Sequence, residues 1–125
     1  MAESQSLGEI IPRDTAEREF GSAGISVSFS SDQLLSIAEM TSNLLMFNIM
    51  AEKLIILGDN RQVLYPEGFI VPADTIFKVF SKSKVLELLN SGGADVNSIE
   101  FRGDTLTISN NDSTLEYGTL CPPWC

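Results

Sequence analysis

The sequence predicts an α+β domain in which two amphipathic helices pack on antiparallel sheet, in the order β-α-β-β-β-α-β-β-β. Three observations carry this prediction. "ISVSF" (25–29) sets Ile25, Val27 and Phe29 against serines, the period of a half-buried strand, and a helical pattern follows it at once. A second helical pattern, "VPADTIFKVFSKSKVLELLNSGG", recurs later in the chain. "IEFRGDTLTISNNDSTLEYGTL" (99–120) then alternates Ile99 and Phe101, Leu106 and Ile108, and Leu115 and Tyr117, with turn residues at "RGD" and "NNDS", as a three-stranded meander does.

The elements follow in order. Residues 1–23 show no periodicity and end in "GSAG", a linker-like stretch, so they are expected to form a flexible N-terminal arm. Its Ile10, Ile11 and Phe20 are the candidate anchors in a neighbour's groove; a tail with no role is the alternative. The domain is expected over 24–120. In "SSDQLLSIAEMTSNLL", Ser30 and Gln33 have capping-box spacing, and Leu34, Ile37, Ala38, Thr41 and Leu45 fall on one helical face. "LLMFNIMAEKLIILGDNRQVLYPEGFIV" breaks at "AEK", "GDN" and "PEG" and reads as three short strands, although helix propensity alone would also continue a helix through "MFNIMAEKLIIL". The second helix is expected from Pro72 and Asp74, with Ile76, Phe77 and Phe80 on one face and Leu86 and Leu89 beyond. Its apolar stripe lapses near "SKSK", and Gly92-Gly93 supplies the left-handed C-terminus. Residues 121–125, "CPPWC", form a C-terminal tail whose Trp124 packs on the domain.

Composition narrows the function. With 43% hydrophobic and 20% charged residues over 125 positions, the chain resembles an ordinary globular domain. The acidic first twenty residues do not read as a secretory or transit peptide, and apolar runs such as "LIIL" are too short to span a bilayer. A cytoplasmic or virion-associated protein, not secreted, is therefore expected, with no membrane partner. There is no histidine, and Cys121 and Cys125 alone make a poor metal set, so no metal and no cofactor is implied. Asp59, Asp74, Asp104 and Asp112 all fall at turns or helix starts, where capping explains them better than catalysis does. With no general base and no phosphate loop, no enzyme is predicted. A net charge of −9 repels nucleic acid unless the basic residues gather on one face.

Two halves, each a helix followed by a three-stranded meander, resemble one domain of the DNA sliding clamp family. "FIVPADTIFKVF" looks like the strand and Val-Pro-Ala start that precede the second helix of bacterial-type clamp domains, and "IEFRGDTLTISNNDSTLEYGTL" looks like their closing meander. The resemblance implies a ring with helices inside, facing double-stranded DNA, and edge strands paired across domain boundaries. One chain supplies one such domain, so the ring would be a homo-oligomer that tethers replication partners as a processivity factor. Lys78, Lys82 and Lys84 are then the DNA-facing candidates, Lys78 and Lys82 at helical i, i+4 spacing; the first helix departs from this pattern, carrying Asp32 and Glu39 with no Lys or Arg.

Two readings stand beside the clamp: a structural or assembly subunit, viral or bacterial, whose arm binds its neighbours, and a small enzyme ranked last. "RGD" at Arg102-Gly103-Asp104 matches a cell-attachment tripeptide, and Asn111-Asp112-Ser113 a glycosylation acceptor. Both are also ordinary hairpin-turn chemistry, the reading preferred here.

Overall fold

In the computed structural model, which describes residues 7–121, three helices pack on two antiparallel sheets. The elements are β1 (Glu9–Pro12), α1 (Arg13–Phe20), β2 (Ala23–Ser30), α2 (Ser31–Ala38), β3 (Leu44–Met50), β4 (Lys53–Leu57), a 3₁₀ turn (Asp59–Arg61), β5 (Val63–Tyr65), β6 (Phe77–Ser81), α3 (Lys82–Gly92), β7 (Val96–Arg102), β8 (Thr105–Asn110), β9 (Ser113–Glu116) and β10 (Thr119–Cys121). One sheet has the order β1-β9-β8-β7-β2 and the other β10-β6-β3-β4-β5.

The chain repeats itself. β2-α2-β3-β4-β5 and β6-α3-β7-β8-β9 are two copies of one β-α-β-β-β unit, and each lends its first strand to the other's meander: β2 pairs with β7, and β6 with β3. The copies share local devices. Ser30 opens α2 by accepting a hydrogen bond from Gln33 N at 3.0 Å, the predicted cap, while Ser81 precedes α3 and accepts one from Leu7 N at 2.7 Å. The Asp59 carboxylate, just after β4, accepts backbone hydrogen bonds from Ser42, Asn43 and Leu44 and so ties down the α2–β3 loop. Asn110, at the end of β8, does the same for the α3–β7 loop, accepting from Ala94 N and donating to Ala94 O.

Strand alternation divides the apolar residues between two sites. Leu45, Phe47, Leu54, Ile56, Phe80, Ile99, Ile108 and Leu115 point inward and meet Leu34, Ile37 and Ala38 of α2 and Val85 and Leu88 of α3 in the main core. The alternate residues of the second sheet, Met46, Ile55, Leu57, Phe77 and Val79, form a smaller cluster on its outer face, covered by Phe69 and Val71 of the long loop after β5.

Three sequence expectations change. Residues 72–81 do not open a helix: Phe77–Ser81 is a strand and α3 starts at Lys82. Ile76, Phe77 and Phe80 satisfy helical spacing, but Phe77 and Val79 against Phe80 satisfy the period of two, and pairing to β3 decides between them. Likewise α2 ends at Ala38, so Leu45 serves the core from β3.

The third change concerns the expected arm. Within it, residues 9–20 are folded into the domain: β1 extends the first sheet beside β9, Ile10 packs against the main core, and Phe20 meets Tyr117 edge-on. The segment has no amphipathic period of its own because β1 is only four residues long and α1 only eight. Removing residues 1–21 is expected to lower the melting temperature and weaken cooperativity, because it uncovers β9 and the buried polar face beneath α1; a thermal melt followed by circular dichroism checks this.

Candidate functional site

The outer face of the first sheet carries buried polar side chains instead of apolar ones. Glu100 and Arg102 of β7 have side chains about 1% exposed, and Arg102 Nη2 lies 2.8 Å from Glu100 Oε2. Ser98, Ser109 and Thr107 hydroxyls also donate to the Glu100 carboxylate, and Ser109 exchanges a hydrogen bond with Thr114. Arg102 Nη1 donates to Gly21 O at 2.9 Å, fastening the end of α1, and Arg13 reaches Glu100 at 3.8 Å from its start. Two charges removed from water this far are tolerated when nearly every lone pair and proton has a partner. The network is a structural anchor for α1. It also settles the "RGD" tripeptide, whose Arg102 is sealed in the fold and not presented at a loop tip.

A second ion pair joins the two sheets. Lys78 of β6 lies 2.8 and 2.9 Å from the Glu116 carboxylate oxygens of β9, with side chains 12% and 6% exposed. Lys78 is thus on a strand, not on the second helix with Lys82, and its ammonium is already engaged. Beside it lies a cleft of about 290 Å³, lined by Phe47, Asn48, Lys78, Phe101, Asp104 and Leu120, residues drawn from both sheets and the β7–β8 turn. Ile76 and Leu120, both about half exposed, stand at this cleft.

Lys82 and Lys84 do lie on α3, in its first turn. Lys82 Nζ donates to Thr41 O at 2.9 Å, and Lys84 pairs with Glu87 at 3.3 Å. Arg61 donates to Cys121 O and Thr75 O and stacks over Phe77, pinning the long loop to β10. Arg18 pairs with Asp14 within α1. Seven of the eight basic residues are therefore committed to carboxylates, carbonyls or hydroxyls, and Lys53 is exposed at the β3–β4 turn. The helices α2 and α3 do not gather free cations into a stripe.

Ile10 and Ile11, half-buried on β1, and Phe20, half-buried on α1, are spent on the chain's own fold. Asp59 binds backbone amides, and Asp74, Asp104 and Asp112 are exposed in connecting loops. Tyr117 donates a hydrogen bond to Glu19 Oε1 at 2.7 Å, and this bond is the main reason its pKa is raised above 10.0. Cys121 is disulfide-bonded; Cys125 and Trp124 lie outside the described residues. Among the described residues no group of histidine, cysteine or carboxylate side chains is arranged to hold a metal ion, and no helix is long and apolar enough to cross a membrane. Comparison with protein-family models, curated proteins and solved structures finds no match.

The Glu100 and Arg102 network escaped sequence reading because a polar residue alternating with an apolar one reads as a solvated strand face. Only the spacing of Glu100 and Arg102, on one face of β7 and of opposite charge, hinted at it. Lys78→Met alone is expected to destabilise the fold by about 3–5 kcal/mol, because it leaves Glu116 buried without its counter-charge. Lys78→Met with Glu116→Leu should recover most of that loss. Urea unfolding of the two single variants and the double variant checks the coupling.

Proposed function

We propose that the chain is a non-catalytic subunit of the sliding-clamp type, which closes head to tail into a ring and tethers replication partners, with double-stranded DNA held by encirclement. The observation that carries this reading is the doubled β-α-β-β-β unit, with its helices α2 and α3 in contact and both packed on the inner faces of the sheets. Each half matches the helix-plus-meander order on which the clamp resemblance rests. The second sheet ends in β10 on one side and β5 on the other. Joining β10 of one subunit to β5 of the next continues that sheet across the boundary and hides both edges, a heterologous contact that forms a ring if the rotation closes. Exposed Leu120 and Ile76 beside β10 add apolar area to such a contact.

A second reading, an assembly subunit that never meets DNA, is favoured by the commitment of the basic side chains. Under the ring reading, DNA affinity has to come from many subunits bringing surface cations such as Lys84 together on one channel, and it should fall steeply with salt as counterions are released.

The expected outcome is a native particle built of closed rings, its mass reduced by Leu120→Arg at the β10 edge. The ring should be retained on closed circular DNA and lost from linear DNA, more weakly with Lys82→Ala and Lys84→Ala. A confirmed ring that retains neither form even at low salt supports the assembly reading instead. A monomer at every concentration sinks both.

A further inference from the structure

The four sheet edges are not alike. β1 carries Glu9 and Pro12, and β5 and β10 are three residues each, all features that blunt an edge. β2 is eight residues long, Ala23–Ser30, and contains no proline and no ionisable residue. Its Ile25 is 61% exposed, and Val96, which stands opposite Ser30 at the other end of the β2–β7 pair, is 55% exposed.

The direction of its unpaired backbone follows from the register. Ser31 N donates to Asp95 O at 2.8 Å, one pair beyond the Ser30–Val96 partners, so by alternation Phe29 and Val27 also bond toward β7. Ser26 and Ser28 therefore turn their N–H and C=O groups away from the sheet. An antiparallel partner strand satisfies these groups.

We propose that the partner is a second copy of this chain, the two β2 strands pairing about a two-fold axis at Val27. Ser26 of each copy then stands opposite Ser28 of the other, giving about four new backbone hydrogen bonds across the pair, and Ile25 lies beside the other copy's Phe29. Charge selects this surface: a chain of net charge −9 repels its own copy, and β2 is free of charge along its whole length. The antiparallel sense also separates the nearest acids. Exposed Asp32 and Asp95 at the end of one β2 face Gly21, Ser22 and Gly24 at the start of the other. The result is one ten-stranded sheet running through both copies.

This contact uses a different edge from the ring contact and does not rest on it. Ser26→Pro removes an outward N–H without touching the ladder to β7, so it is expected to halve the native mass while leaving the circular dichroism spectrum and melt close to native. Val27→Cys is expected to form a disulfide-linked dimer on a non-reducing gel, since symmetry places the two Val27 side chains side by side; this readout stands even if the proline variant folds poorly. Leu120→Arg should leave that cross-linked dimer intact while lowering any larger assembly. Unchanged mass for a folded Ser26→Pro chain, or absence of a Val27→Cys cross-link under oxidation, overturns the proposal.

Discussion

The exchange of first strands between the two halves is the constraint from which the rest of the structure follows. β2 belongs in sequence to the first half but lies on the meander of the second, and β6 does the reverse. Neither meander is a complete sheet without a strand from the other half. The main core draws on both sheets and both helices, so it is assembled only when both exchanges are made. The Lys78–Glu116 pair belongs to the same logic: it joins a strand of one sheet to a strand of the other at a place where apolar contact gives way to the cleft. A lone charge at either position would be desolvated without compensation.

The N-terminal segment adds a layer to this doubled unit. β1 hides the edge of β9, and α1 covers a sheet face whose side chains are polar. A polar face roofed by a helix is an unusual solution, since apolar residues there would need no partners. Its effect is directional: Arg102 accepts one position for Gly21 O, and Arg13 N donates to Asp112 O at 2.7 Å, so α1 is fixed at both ends by hydrogen bonds instead of by shape alone. Covering β9 moves that sheet edge to β1, which Glu9 and Pro12 blunt, and leaves β2, β5 and β10 as the other edges where a further strand could add.

That restriction frames the functional reading. The doubled helix-and-meander unit leaves open strand edges, and one of them, β2, carries no ionisable residue in a chain of net charge −9. Lys78 and Arg102 are held by buried carboxylates, whereas Arg18 and Lys84 pair with carboxylates at the surface, so the described cations do not form one basic face.

The sequence by itself determined the α+β class, the cap at Ser30, the glycine end of α3, and the hairpins at 51–52, 103–104 and 111–112. These depend on local backbone chemistry, where positive φ at Gly103, Gly93 and Asn111 is favoured by the residue alone. It did not determine that Phe77–Ser81 is a strand, that Lys78 stands apart from Lys82 and Lys84, or that residues 9–20 join the domain. Each of those was decided by a partner distant in sequence: β3 for β6, Glu116 for Lys78, and β9 for β1. A short segment whose residues fit two periods takes the one its neighbours can hydrogen-bond, and an alternating polar residue is buried or wet according to what folds over it.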